Sequence, residues 1–178
     1  MFERVFVTVG TTSFQQLIQL IVSDKVVDQF SKWGVKEVRI QGGKNNIDRD
    51  SNEWVERDIK YSLYEYKPTI DEDIQWADII ISHAGAGTTL EALDQGKVLL
   101  VVPNETLMDN HQLELAKKLE KENYAFMATI DTFCKQMEDI DPSVLKPFPP
   151  ARPELLANYL AQMNIPNKKS KLNRTKTE

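Results

Sequence analysis

Chemistry is concentrated in one stretch, Ile81 to Pro103, which reads ISHAGAGTTLEALDQGKVLLVVP. Gly85 and Gly87 permit a tight turn and let a ligand approach the backbone closely. Thr88 to Gln95 has helical character, and Gly96 stands where a helix ends. Strand, glycine turn and helix N-terminus together present free N–H groups and the positive end of a helix dipole, which suits a phosphate or a nucleotide. The turn is not a dinucleotide fingerprint, because Leu90 occupies the position of the third glycine. Nor is it a Walker loop, because no Gly-Lys-Ser/Thr follows. A nicotinamide enzyme is thereby disfavoured, while a purely structural glycine turn stays open.

Other polar residues near this turn carry two readings each. Thr88-x-x-Glu91 fits a capping box, in which Glu91 returns to the N-cap amide. A carboxylate one turn into this helix would also suit the two ribose hydroxyls of a nucleotide. Asp109-x-x-Gln112 fits a capping box in the same way. His83 is either a donor to a diphosphate or a turn residue, and His111 reads as solvent-facing. The two histidines and the scattered carboxylates show no ligand spacing such as H-x-x-x-H, and no metal site is assigned. The pairs Asp48/Asp50, Asp71/Asp73 and Asp139/Asp141 have the form that holds Mg²⁺ against a diphosphate. In a chain with 27 acidic residues such pairs arise by chance, and Asp71 reads as a helix start. Cys134 lies in a polar stretch without the activating surroundings that a reactive thiol needs.

The elements that must position these groups alternate. Val5–Val9 reads as a strand that ends in Gly10-Thr11-Thr12-Ser13. A helical stripe follows through Phe14, Leu17, Ile18 and Ile21 and continues through Val26, Val27, Phe30 and Trp33 to Gly34. Strands are expected at Val35–Ile40, Ile59–Tyr66, Asp78–Ser82, Val98–Val102 and Tyr124–Ala128. Helices are expected at Asp71–Trp76, from about Asn110 to Glu122 with Leu113, Ala116 and Leu119 inward, and at Asp131–Met137. Gln41 to Asn46 reads as a turn, and Ile47–Glu56 is too polar to assign. This alternation implies an α/β fold with a mainly parallel sheet. Ligands bind such sheets at the carboxyl ends of the strands. That rim gathers Gly10-Thr11-Thr12, His83–Gly87 and Asn104–Asp109.

The chain has 178 residues and a formal net charge of −5, which suits one domain and argues against a nucleic-acid binder. The last thirteen residues carry five Lys or Arg and one Glu, so the body is acidic and the tail basic. Residues 1–165 are read as one domain and 166–178 as a disordered tail. One cysteine fits a reducing compartment. No apolar run approaches the ~20 residues of a spanning helix, so a cytosolic protein is expected. Lys146-Pro147-Phe148-Pro149-Pro150 breaks the chain. The helical stretch Glu154–Met163 beyond it shows an apolar stripe of Leu155, Leu156, Tyr159, Leu160 and Met163. The stripe suits either its own sheet or a partner groove.

Taken together, SHAGAGTTLEAL (Ser82–Leu93), Pro103 and LMDNHQLELA (Leu107–Ala116) resemble the donor-binding half of family 28 glycosyltransferases. FVTVGTTSFQQL (Phe6–Leu17), QGG (Gln41–Gly43) and KPFP (Lys146–Pro149) narrow the resemblance. They point to the small cytosolic catalytic subunits of eukaryotic UDP-N-acetylglucosamine transferases acting on N-acetylglucosaminyl-diphosphodolichol. The resemblance covers about residues 4–160. It implies a Rossmann-like domain equivalent to the C-terminal half of a GT-B glycosyltransferase, with UDP-GlcNAc as donor substrate and no cofactor. It also implies a membrane-anchored partner that supplies the acceptor half at the cytosolic face of the endoplasmic reticulum. The C-terminal stripe becomes the candidate contact with that partner. Donor-binding roles are implied for Gly10, Thr11 and Thr12 near the diphosphate, for Gly85, Gly87 and Thr88 at the turn, and for Glu91 on ribose. Asp109, Asn110 and Gln112 match the segment that contacts the donor sugar. His83 departs from the bacterial pattern but fits the eukaryotic one. The general base is unassigned. A nucleotide-sugar-binding regulatory subunit and a sugar-nucleotide epimerase-like half domain are the alternative functions.

Overall fold

The structure is a computed structural model that describes residues 2–43, 52–105 and 111–149. The chain divides into two units, Met1–Phe148 and Pro149–Glu178. The elements below belong to the first. Asp48/Asp50, Asp109, Asn110, Glu154–Met163 and the tail, for which roles are expected above, lie outside the described residues.

Seven strands form one sheet in the order β3-β4-β2-β1-β5-β6-β7. β1 (Arg4–Thr8) pairs in parallel with β2 (Glu37–Gln41) on one side and β5 (Ile79–Ser82) on the other. β4 (Ile59–Tyr64) continues outward from β2, while β6 (Val98–Val101) and β7 (Phe126–Met127) continue from β5, all in parallel. The chain thus builds leftward from β1 and then rightward from β5. The point where direction reverses lies between these two central strands. Only β3 (Glu53–Glu56) runs antiparallel, joined to β4 by a two-residue turn with Arg57 and Asp58 at φ 51° and 64°. Arg57 ties that turn to Asp24 and Asp28 by ion pairs.

Helices cover both faces, as the apolar run of each central strand requires. Val5, Val7, Val38, Ile40, Ile79 and Ile81 share a buried cluster with residues of α1 (Gln15–Ile21), α2 (Asp24–Trp33) and α6 (Phe133–Glu138). α3 (Asp71–Trp76) contacts β1, and α4 (Ala86–Asp94) packs along β5 and β6. α5 (His111–Lys121) packs on β7. The continuous stripe expected from Phe14 to Trp33 is two helices. Ser23, with ψ 150°, is extended and starts α2, while its hydroxyl turns back to the Leu20 carbonyl at 2.7 Å. Gly34, at φ 84°, ends α2, with Gly34 N–H donating to Ser31 O and Val35 N–H to Phe30 O. That is the double closure that a left-handed terminal residue permits.

In α5 the inward residues are Leu115, Ala116 and Leu119. Leu113, expected inside, is half-buried, because the apolar face is centred one position away. β7 has two residues where five were expected. As an edge strand it has a partner on one side only.

Candidate functional site

The carboxyl ends of β1 and β5 meet at the reversal point, where an open α/β sheet leaves a crevice. Thr8 and Ser82 are paired there. Thr8 Oγ1 donates to buried Gln41 Oε1 at 2.6 Å and accepts Gly10 N–H at 3.1 Å. Gly10 turns the chain at φ +60°. Thr12 Oγ1 then donates back to Val9 O at 2.7 Å, so its hydroxyl serves the turn, while Thr11 is exposed. Gly43 packs on the same turn, because a Cβ there would lie 2.8 Å from the Thr12 carbonyl oxygen.

On the β5 side the structure corrects the expected glycine turn. The left-handed residue is Ala84, at φ 64°, while Gly85 has φ −65° and ψ 125°. Gly85 is required for space instead. A Cβ on Gly85 would lie 2.6 Å from His83 Nε2, and a Cβ on Gly10 would lie 2.9 Å from Cε1. The His83 ring is therefore clamped between two glycines from neighbouring loops and is buried. Its Nδ1 lies 3.3 Å from the Thr8 carbonyl oxygen. Burial lowers its pKa, opposed by that carbonyl.

α4 begins at Ala86, two residues earlier than expected, with Gly85 as its N-cap. Thr88 is then the third helical residue rather than the cap, and the capping-box reading of Thr88-x-x-Glu91 fails. Gly87 is exposed, and a Cβ there would meet nothing within 4 Å. Glu91 is exposed four residues on, on the same helical face. The crevice is thus bordered by free first-turn amides, a bare backbone position and a carboxylate one turn away.

The third loop is tied in by Asn104, named above as its first residue, and by Gln112, expected at the donor sugar. Asn104, buried, donates from Nδ2 to Ser13 O at 3.2 Å, and its backbone N–H reaches Gln112 Oε1 at 3.4 Å. Gln112 thus holds the β6–α5 loop. His111 is half-buried rather than solvent-facing. The signal for Asn104 was a polar residue directly after a buried strand and Pro103.

The structure does not bring Asp71/Asp73 together as a cation site. Asp73 is buried and accepts from Arg39 at 3.1 Å, Lys67 at 2.9 Å and Tyr64 at 2.5 Å. Burial alone would raise its pKa, but these three hydrogen bonds bring it below the ordinary carboxylate value. Asp71 takes Thr69 Oγ1, and Asp141 caps Ser143 N–H. Among the described residues no group of three His, Cys, Asp or Glu is placed to hold a metal ion. Cys134 packs half-buried against the core. A groove of about 390 Å³ lies after β7, lined by Thr129, Thr132, Lys135 and Gln136 among others, two strands from the reversal point.

A mostly parallel sheet whose strand order reverses between β1 and β5 places the molecule in the doubly wound α/β class. The chain belongs to the glycosyltransferase family 28 C-terminal domain, whose family model matches residues 4–171. It is 43% identical over 127 residues to the UDP-N-acetylglucosamine transferase subunit ALG13 of Mus musculus, a match spanning 71% of this chain and 11% of that protein. The protein of the same name from Yarrowia lipolytica is 34% identical over 121 residues, 68% of this chain and 62% of its own length. The chain thus spans about a ninth of its mouse relative and under two thirds of its yeast one. In fold it matches an NMR structure of ALG13 with a TM-score of 0.68 at 24% identity, over 89% of this chain and 94% of that one. It matches Acinetobacter baumannii MurG with a TM-score of 0.54 at 17% identity, over 91% of this chain and 44% of that one. The fold is the Rossmann-like C-terminal half of a GT-B glycosyltransferase.

Proposed function

We propose that this domain holds UDP-GlcNAc in the β1–β5 crevice and serves as the donor half of a glycosyltransferase. The acceptor is GlcNAc-diphosphodolichol. The observation that carries this reading is the open α4 face, where first-turn amides, Gly87 and Glu91 adjoin the reversal point in a family 28 chain. The diphosphate lies against the α4 amides and the Gly10–Thr12 turn. Glu91 takes the ribose hydroxyls, and Asp109, Asn110 and Gln112 face the sugar.

Transfer is inverting. The C4 hydroxyl of the acceptor's GlcNAc attacks the anomeric carbon from the face opposite UDP and forms a β1,4 linkage. Amides and the helix N-terminus stabilise the leaving UDP, with His83 beside them and no metal required. The general base comes from a second subunit, anchored in the membrane at the cytosolic face of the endoplasmic reticulum. The word "subunit" in the relatives' names supports such a partner. The stripe Leu155, Leu156, Tyr159, Leu160 and Met163 is assigned as its contact. Among the described residues no helix is long and apolar enough to cross a membrane. The test is GlcNAc transfer from UDP-GlcNAc to a GlcNAc-diphospholipid by this chain, by the partner and by both. Undiminished transfer by the partner alone would favour a regulatory role for this chain.

A further inference from the structure

His83 forms the floor of the crevice, and its geometry restricts where its hydrogen sits. A carbonyl oxygen only accepts, so the Nδ1 that faces Thr8 O at 3.3 Å carries the hydrogen. Burial disfavours the charged ring. Nε2 is then a lone pair. It lies beneath Gly85, the N-cap of α4, because a Cβ on that residue would stand 2.6 Å from it. Among the described residues Nε2 has no hydrogen-bond partner. The elements packed on the ring are β1, the Gly10 turn and the Gly85 cap. No charged group on any of them, nor Glu91 on α4, contributes to its titration.

An anion drawn to the α4 N-terminus would meet this lone pair. A tautomer shift would move the hydrogen to Nε2 but set the Nδ1 lone pair against the Thr8 carbonyl. Protonation at Nε2 keeps the Thr8 contact and supplies a donor. We propose that binding of the donor's diphosphate is coupled to uptake of one proton at His83 Nε2, so that the imidazolium exists only in the liganded crevice. This rests on the donor-binding reading above. The proton comes from solvent, and no bond of the donor breaks on binding. The cation is in place before transfer, where charge develops on the departing phosphate. An empty site avoids the cost of a buried unpaired cation.

The test is calorimetric titration of the full chain with UDP-GlcNAc near pH 7.5, in buffers of different ionisation enthalpy. The diphosphate of this donor does not titrate near neutrality, so proton uptake belongs to the protein. Uptake close to one proton is expected, with Kd weakening by up to about tenfold per pH unit above neutrality. His83→Asn should remove both. A wild-type NMR titration of the His83 ring, with and without UDP-GlcNAc, covers the case of an unstable variant and should show its pKa rising on binding. Binding without uptake, or uptake unchanged in His83→Asn, overturns the proposal and leaves donor binding standing. Absence of UDP-GlcNAc binding overturns both.

Discussion

Replacing Gly87 with alanine separates a structural glycine from one that makes room for a ligand. Gly87 is the second residue of α4, exposed, and an added methyl group would meet no protein atom within 4 Å. Alanine is favoured over glycine by up to ~1 kcal/mol inside a helix. The first turn captures part of that, so Gly87→Ala should raise stability by about 0.5 kcal/mol, or ~1–2 °C in Tm for a chain of this size. Donor binding should move the other way. The Cβ would occupy the space in which the diphosphate reaches the first-turn amides. Lengthening one hydrogen bond to a charged group costs ~1.5–3 kcal/mol, or about 10- to 100-fold in Kd. Gly85→Ala is the contrast. Its Cβ would fall 2.6 and 2.7 Å from Nε2 and Cε1 of His83, inside a buried clamp. Overpacking of that kind costs ~1–3 kcal/mol, so Tm should fall by ~2–12 °C. Thermal melts of the free variants and calorimetric titration with UDP-GlcNAc read both quantities. A Gly87→Ala variant that binds the donor as tightly as wild type would refute placement of the diphosphate on this turn.

Glu91→Ala should leave stability within about 0.5 kcal/mol of wild type, as for an exposed site, yet weaken UDP-GlcNAc binding by about tenfold or more. Unchanged affinity would remove the ribose assignment. Asp73→Asn breaks a buried carboxylate's contacts with Arg39, Lys67 and Tyr64. Because both cations are partly exposed, the loss should sit at the lower end of the ~3–5 kcal/mol typical of buried pairs. The folded pKa of Asp73 is depressed, so its stabilisation is complete above the unfolded carboxylate value of about 4 and is lost as pH falls through the folded one. Urea midpoints across acid pH should therefore converge for wild type and Asp73→Asn. Asn104→Ala, which removes the hydrogen bond from Nδ2 to Ser13 O, should cost ~1–2 kcal/mol in urea denaturation.

The periodicity of the chain foretold the alternation of elements closely, because apolar runs such as Ile79–Ile81 and Leu99–Val101 have one physical use, burial between helices. Boundaries were harder. Ser23 splits what reads as one stripe, since a single extended residue is enough to restart a helix. The turn at Ala84 was misplaced onto glycines for a related reason. Sequence marks Gly85 as permissive, but only three dimensions show that its missing Cβ makes room for His83. The Asp73 cluster joins Arg39, Tyr64 and Lys67 across three segments, and no local spacing announces such a contact. The Asn104–Ser13 tie spans ninety-one positions and was hidden likewise. What the motifs did locate were the loops at the carboxyl ends of β1, β5 and β6, because an apolar run that breaks into Gly-Thr, His-Ala-Gly or Pro-Asn marks the end of a buried strand.

The central claim is that this chain supplies the donor half of a split enzyme. Its most direct test is transfer of radiolabelled GlcNAc from UDP-GlcNAc to a GlcNAc-diphospholipid, assayed with this chain alone, with the membrane-anchored partner alone and with both, each with and without a chelator. The account predicts transfer only in the mixture, undiminished by the chelator. Transfer by this chain alone, or by the partner without it, would contradict it.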